Sequence, residues 1–189
     1  FEIIRPGINT TFQDKGRGNL YHVGIPFSGV MDNRNYLLAN KLVNNNLDSP
    51  IIEFAYQGPH LKYTGGKINF AITGDVIFTI KKDDTEIEGK CYESYQIENG
   101  NEINIISTSK SVYGYLALGG ELDIKLQWNS CSINTKANIG SNDGKKLDTG
   151  QRVNLKRINS NKDIKKTNYI NTKIENIRVI KGTNFEYFS

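Results

Sequence analysis

The sequence predicts an all-β domain that carries one short amphipathic helix. Short segments in which apolar and polar residues alternate recur along the chain, and clusters of Gly, Asn and Asp interrupt them. One stretch, from Asp32 to Asn45, instead places apolar residues at helical spacing. A chain of 189 residues is long enough for one substantial core, so one barrel or sandwich with an appendage is the natural architecture.

Taken in order, strands are predicted at 2–5, 51–57, 61–63, 67–73, 76–81, 93–97, 102–107, 113–118, 152–158 and 176–180. Many of them are rich in β-branched and aromatic residues. The helix is predicted from Leu37, Leu38, Leu42 and Val43, with Asp32 as its N-cap and Asn44-Asn45-Asn46 as a stop that tolerates a left-handed backbone. Its Leu stripe should lie over the sheet and close one end of a barrel. From Asn159 to Lys173 the chain is polar and rich in Asn and Lys, the pattern of a linker or exposed excursion. The organisation that follows is a barrel over 1–158, a polar linker over 159–175, and over 176–189 either the start of a second, truncated barrel or a strand returning to the first. A chain that opens a new element and then halts reads as cut.

Composition narrows the function classes. The mean hydropathy is -0.50 and 37% of residues are hydrophobic, but ten Tyr and eight Phe indicate a folded chain. No apolar run approaches the roughly 20 residues of a membrane span, and the first residues lack a signal-peptide layout, so the protein is expected in the cytoplasm. The chain starts without Met, which reads as a trimmed piece with room for an upstream segment. Cys91 and Cys131 belong to no C-x-x-C pair, and His22 and His60 are the only histidines; reduced thiols and no metal site are expected. The net charge of +4 comes from dispersed Lys, the pattern of a solvated surface and not of a nucleic-acid groove.

Four clusters could carry chemistry. Between Pro6-Gly7 and Gly16-Arg17 polar groups crowd together: Arg17 could clamp a carboxylate or phosphate, and Asp14 could orient it or take a proton. The structural alternative is an Asp14–Arg17 turn clamp. Ser28 and Gly29, just ahead of the helix start at Asp32, could shape an anion pocket or form a plain turn. Glu53 shares a strand face with Ile51 and Ala55 and is expected to point inward, where it must be paired or protonated. Gly119-Gly120 ends a strand where a backbone could approach a ligand, or where a hairpin turns. No G-x-G-x-x-G, Walker loop or nucleophile elbow is present.

These residues resemble a known pattern. Pro6-Gly7, Thr11-Phe12-Gln13-Asp14-Lys15-Gly16-Arg17, Gly24-Ile25-Pro26-Phe27-Ser28-Gly29-Val30-Met31-Asp32, Ala39-Asn40-Lys41-Leu42-Val43, Glu53 and Gly58-Pro59 follow, in order, the motifs of one family. It is known variously as allophanate hydrolase subunit 2, biotin-dependent carboxyltransferase or the 5-oxoprolinase C-subunit. Ala71-Ile72-Thr73-Gly74 and Tyr115-Leu116-Ala117 through Gly119-Gly120 extend the likeness over nearly the whole chain, as the N-terminal half of that family. Two places depart: Val43-Asn44-Asn45 replaces Val-Gly-Asn, and Asn129-Ser130-Cys131-Ser132-Ile133 replaces Gly-Ser-Arg-Ser-Thr.

The resemblance implies a cyclophilin-like β-barrel and a partner of the allophanate hydrolase subunit 1 type, with a third oxoprolinase subunit in some assemblies. It implies three alternative activities. The first is ATP-dependent opening of 5-oxoproline to glutamate in a multi-subunit 5-oxoprolinase. The second is carboxyl transfer from a partner's carboxybiotin to urea, and the third is regulatory antagonism of a kinase inhibitor. ATP would belong to the complex and no cofactor to this chain alone. Asp14, Arg17 and Glu53 are the expected catalytic residues; Gln13, Ser28, Gly29, Asp32, Asn40, Gly119 and Gly120 are the expected substrate-binding ones.

Overall fold

The computed structural model describes residues 1–161, 163–168, 180–183 and 185–187. Two five-stranded antiparallel sheets face each other, as the all-β prediction required. The first runs in the order β1 (Glu2–Arg5), β4 (His60–Lys62), β9 (Glu102–Thr108), β6 (Val76–Lys82), β7 (Thr85–Glu88). The second runs β2 (Asn9–Gln13), β3 (Ile51–Ala55), β10 (Tyr113–Leu118), β5 (Ile68–Thr73), β8 (Ser94–Ile97). A small pair, β11 (Gly120–Leu122) with β12 (Leu155–Ile158), completes the strands among the described residues. Ile3, Leu61, Phe78, Ile80, Ile103 and Ile105 from the first sheet share one buried cluster with Ile52, Phe54, Phe70, Ile72 and Leu116 from the second. Phe70 meets Phe78 edge-on across the interface, ring centres 6.4 Å apart, a favoured aromatic geometry.

The helix α1 (Asn33–Leu42) forms where its cap predicts: the Asp32 carboxylate accepts the Asn35 N–H at 3.0 Å, and Asn44 ends it at φ 59°. It lies over a sheet, as expected, but its place on that sheet differs. It does not close a barrel end but lies across the outer face of the second sheet, over β5 and β10. The buried stripe is rotated as well, onto Tyr36, Ala39, Leu42 and Val43, with Leu37 and Leu38 only half-buried. The reason is size: Ala39 faces Ala71 and Ala117, and small residues on both sides let the helix backbone approach the sheet. Strands β3 and β5 are consequently buried on both faces.

Three strands carry no apolar alternation. β7 is wholly exposed, an edge strand whose Glu86 stands opposite Lys81. β11 is three residues long. β2 reads Asn-Thr-Thr-Phe-Gln, yet four of its five residues are buried: Thr11 and Gln13 in the wall of a cleft, Thr10 and Phe12 on the opposite face. The polar segment that begins at Asn159 is, where described, docked along β8: Ser94 N–H donates to Lys165 O at 2.8 Å, Thr167 N–H to Tyr92 O at 3.0 Å, and Lys166 pairs with Glu93 at 2.7 Å. The strand predicted at 176–180 lies, apart from Ile180, outside the described residues. No helix among those described is long and apolar enough to cross a membrane.

Candidate functional site

Alternation on β3 sends Ile52 and Phe54 into the core between the sheets and Ile51, Glu53 and Ala55 to the opposite face. Glu53 therefore does not point into the barrel, as its neighbours suggested, but out from it, toward the start of α1. It is nonetheless only 6% exposed, because that face too is covered. Register aligns Thr11 of β2, Glu53 of β3 and Tyr115 of β10 in one row across the sheet. Gln13 and Asn9 flank the row on β2, and Tyr113 on β10. Over them runs the 28–31 loop on one side and the 133–136 loop on the other. The result is a cleft of about 340 Å³ with Gln13, Ser28, Gly29, Glu53 and Lys136 among its walls.

Glu53 is the ionisable group at the bottom of this cleft. Its Oε2 accepts the Met31 N–H at 2.8 Å, and Tyr115, opposite it in the strand register, brings its hydroxyl beside it. Burial raises its pKa above the usual carboxylate range; these two donors favour the charge, and neighbouring Asp32 opposes it. Tyr115 in turn accepts the Asp32 N–H at 2.7 Å. Burial and the nearby Glu53 hold its phenol protonated far above its ordinary value. Gln13 donates both amide hydrogens, to Thr11 Oγ1 and to Ile133 O, each at 2.9 Å, and its buried Oε1 has no hydrogen-bond partner.

Asp14 and Arg17 stand behind this wall. Asp14 is 8% exposed, and its carboxylate takes four donors: Ser130 Oγ and Ser132 Oγ at 2.6 Å each, Cys131 N–H at 2.7 Å and Gly16 N–H at 2.8 Å. Burial pushes its pKa up, but those hydrogen bonds outweigh burial and hold it below the normal aspartate value. Arg17, 2% exposed, donates to Ser28 Oγ at 3.0 Å and to Ser132 O at 2.5 Å. Asp14 and Arg17 thus meet through Ser132, and Arg17 holds Ser28 at the cleft edge. The 14–17 and 27–30 loops also exchange backbone hydrogen bonds, Arg17 N–H to Phe27 O at 2.9 Å and Val30 N–H to Asp14 O at 3.0 Å. Gly29, at φ 94°, lets them approach: a Cβ there would lie 3.0 Å from the Lys15 carbonyl and the Gly16 nitrogen. This geometry makes Asp14 an anchor and leaves Glu53 as the carboxyl facing the cleft.

The other expected residues fall elsewhere. Asp32 caps α1 beside the cleft. Asn40 is fully buried at the far end of the helix, donating to Ser49 O at 2.9 Å and accepting from Asn45 at 3.0 Å. Gly120 N–H donates to Asn45 Oδ1 at 3.0 Å, and the Gly119 and Gly120 backbones press against Asn69 O and Arg157 O, where a Cβ would collide. Gly120 lines a separate cleft of about 380 Å³ with Asn45, Ser49 and Arg157 near α1's C-terminal end, while Asn40 and Gly119 belong to the packing there. Sequence reasoning does not single out Tyr115, Thr11 or the Ser130–Lys136 region as site residues. The sole signal for the last is its departure from the family pattern: Ser130 and Ser132 supply the hydroxyls that hold Asp14. Cys131, buried among them, has its thiol pKa pushed up by burial and by Asp14, which disfavours its thiolate.

Comparison with known proteins places this architecture. The family model described as carboxyltransferase domain, subdomain A and B, matches residues 23–189. The urea amidolyase of Lachancea kluyveri is 32% identical over 151 residues, which is 79% of this chain and 8% of that enzyme. The 5-oxoprolinase C-subunit of Haemophilus influenzae is 31% identical over 152 residues, 80% of this chain and 48% of that protein. The crystal structure of the K. lactis urea amidolyase superposes with a TM-score of 0.75 at 30% identity, covering 82% of this chain and 9% of that one. The chain therefore spans under a tenth of the urea amidolyases and about half of the oxoprolinase protein.

Proposed function

The chain belongs to the carboxyltransferase domain family, subdomain A and B, and on that premise we propose that it forms part of a multi-subunit, ATP-dependent 5-oxoprolinase that opens 5-oxoproline to glutamate in the cytoplasm. The observation that supports this reading is Glu53, a carboxyl of raised pKa at the bottom of a polar cleft. Opening a lactam adds the oxygen of a water to the carbonyl carbon as the C–N bond breaks, and the leaving nitrogen must gain a proton. A carboxyl that retains its proton nearer neutral pH is suited to supply it. The unpaired Gln13 Oε1 is the acceptor for the lactam N–H, and Lys136 on the rim attracts the substrate carboxylate. One rim cation without a phosphate cradle does not fit a triphosphate, so ATP in this reading acts on a partner subunit.

Replacing Lys136 by Gln is expected to raise KM for 5-oxoproline about fivefold and leave kcat unchanged, the effect of losing one exposed ion pair. An unchanged KM removes Lys136 from the reading.

A second reading, carboxyl transfer from a partner's carboxybiotin to urea, is favoured by the family's description and by the identity to urea amidolyase. There Glu53 would take a proton from the amide nitrogen as it attacks. The experiment is reconstitution with the partner subunits and ATP in two arms, one given labelled 5-oxoproline and the other given urea, labelled bicarbonate and a biotin carboxylase with its biotinyl carrier. Glutamate formed in step with ADP is the expected result. Carboxylated urea without glutamate establishes the second reading, and a stable complex with neither product leaves a regulatory role.

A further inference from the structure

We propose that Tyr115 is the positioning residue of the cleft, directing its single hydroxyl proton onto Glu53 while its oxygen holds the backbone at the start of α1. The argument is one of donors and acceptors. The Asp32 N–H, 2.7 Å away, can only donate, so it occupies a lone pair on the Tyr115 oxygen. The hydroxyl proton is then left for Glu53, which stands directly opposite Tyr115 in the β3–β10 register. Glu53 meanwhile receives the Met31 N–H at 2.8 Å. Two consecutive backbone N–H groups, of Met31 and Asp32, are thus held by two neighbouring side chains on adjacent strands.

The 28–31 lip of the cleft is fastened to the sheet at this point, and Asp32 passes the fastening on to the helix by capping it. Tyr115 is fully buried, so no water competes for its proton. The groups facing Glu53 are Asp32 from the helix start and Tyr115 from β10; Tyr113 and Lys136 line the same cleft. Tyr115 touches no substrate in this arrangement and acts through Glu53.

The inference rests on Glu53 being the proton-handling group, and its test separates the two claims. In Tyr115→Phe, Glu53 loses a donor that favours its charged form. The Glu53 carboxyl, followed by carbon NMR on the free chain, should titrate about one pH unit higher than in the wild type. The limb of the pH–rate profile set by Glu53 in the reconstituted complex should move with it. An unmoved Glu53 titration in a folded Tyr115→Phe chain overturns the proposal. If the titration moves but Glu53→Gln keeps full turnover, the positioning role stands and the proton-transfer reading falls. Should Tyr115→Phe not fold, 3-fluorotyrosine placed at position 115 preserves packing and strengthens the donor. It should shift Glu53 downward, and the absence of that shift is equally fatal.

Discussion

Asp14→Ala will destabilise the domain by about 4 kcal/mol, a large part of the stability an ordinary domain possesses. The substitution removes few atoms from the apolar core; what it removes is the acceptor for two hydroxyls and two backbone N–H groups, all in a buried site. Each orphaned donor loses its partner without gaining water, and the nearby Arg17 guanidinium loses the carboxylate that supports its charge. Asp14→Asn keeps the shape and one acceptor and should lose about half as much. Urea denaturation of the full chain measures both, and a loss under about 1 kcal/mol for Ala would show the anchor to be dispensable. The pH dependence has a definite sign. Because the folded-state pKa is depressed, the stabilisation is complete above the ordinary aspartate value and disappears as pH falls through the depressed one. The gap between wild type and Asp14→Asn should therefore narrow in acid.

Why Asp14 looks catalytic in the sequence, and is an anchor in the structure, follows from where its partners lie. Asp14 and Arg17 stand three positions apart, and local crowding of polar groups is legible. Ser130 and Ser132 are more than a hundred positions away, and no periodicity connects them to the Asp14 turn. The strands are legible where one face is polar, as at β6, with its alternating buried and exposed positions. They are illegible in two opposite circumstances. At β7 neither face is apolar, and pairing rests on the hairpin and on opposite charges. At β2 the polar residues Thr11 and Gln13 are buried in the wall of a cleft that only tertiary structure creates.

Glu53 illustrates the same limit from the apolar side. In Ile51-Ile52-Glu53-Phe54-Ala55 every position is buried, so period two assigns Glu53 to a face without saying which face is the barrel core. The helix that covers the other face has its cap written in the sequence, but helical spacing points to Leu37 and Leu38 for its stripe. Alanines facing alanines draw the helix down along Tyr36 and Ala39 instead. Once the helix lies there, its first turn sits above Glu53, and the cleft is a consequence.

Glu53→Gln should therefore separate function from stability. Under the oxoprolinase reading, turnover in the reconstituted complex falls by about 10²–10⁴-fold, the usual effect of removing a general acid or base. Folding stability should move in the opposite direction. The amide oxygen still accepts the Met31 N–H, so that backbone donor is not orphaned. The folded-state pKa of Glu53 is raised, so the fold favours its protonated form and works against its charge. As pH rises past the ordinary glutamate value, the unfolded chain ionises first, and the wild type loses stability until pH has passed the raised folded-state value. The neutral Gln side chain escapes that loss. Its advantage in urea midpoint should be absent at low pH, grow through this window and level off above it. Cleft carboxyls held against their own ionisation are a recognised trade of stability for chemistry. A Gln variant that is less stable at neutral pH would show the Glu53 charge to be welcome in the fold, and would leave the cleft without the strained acid on which proton transfer depends.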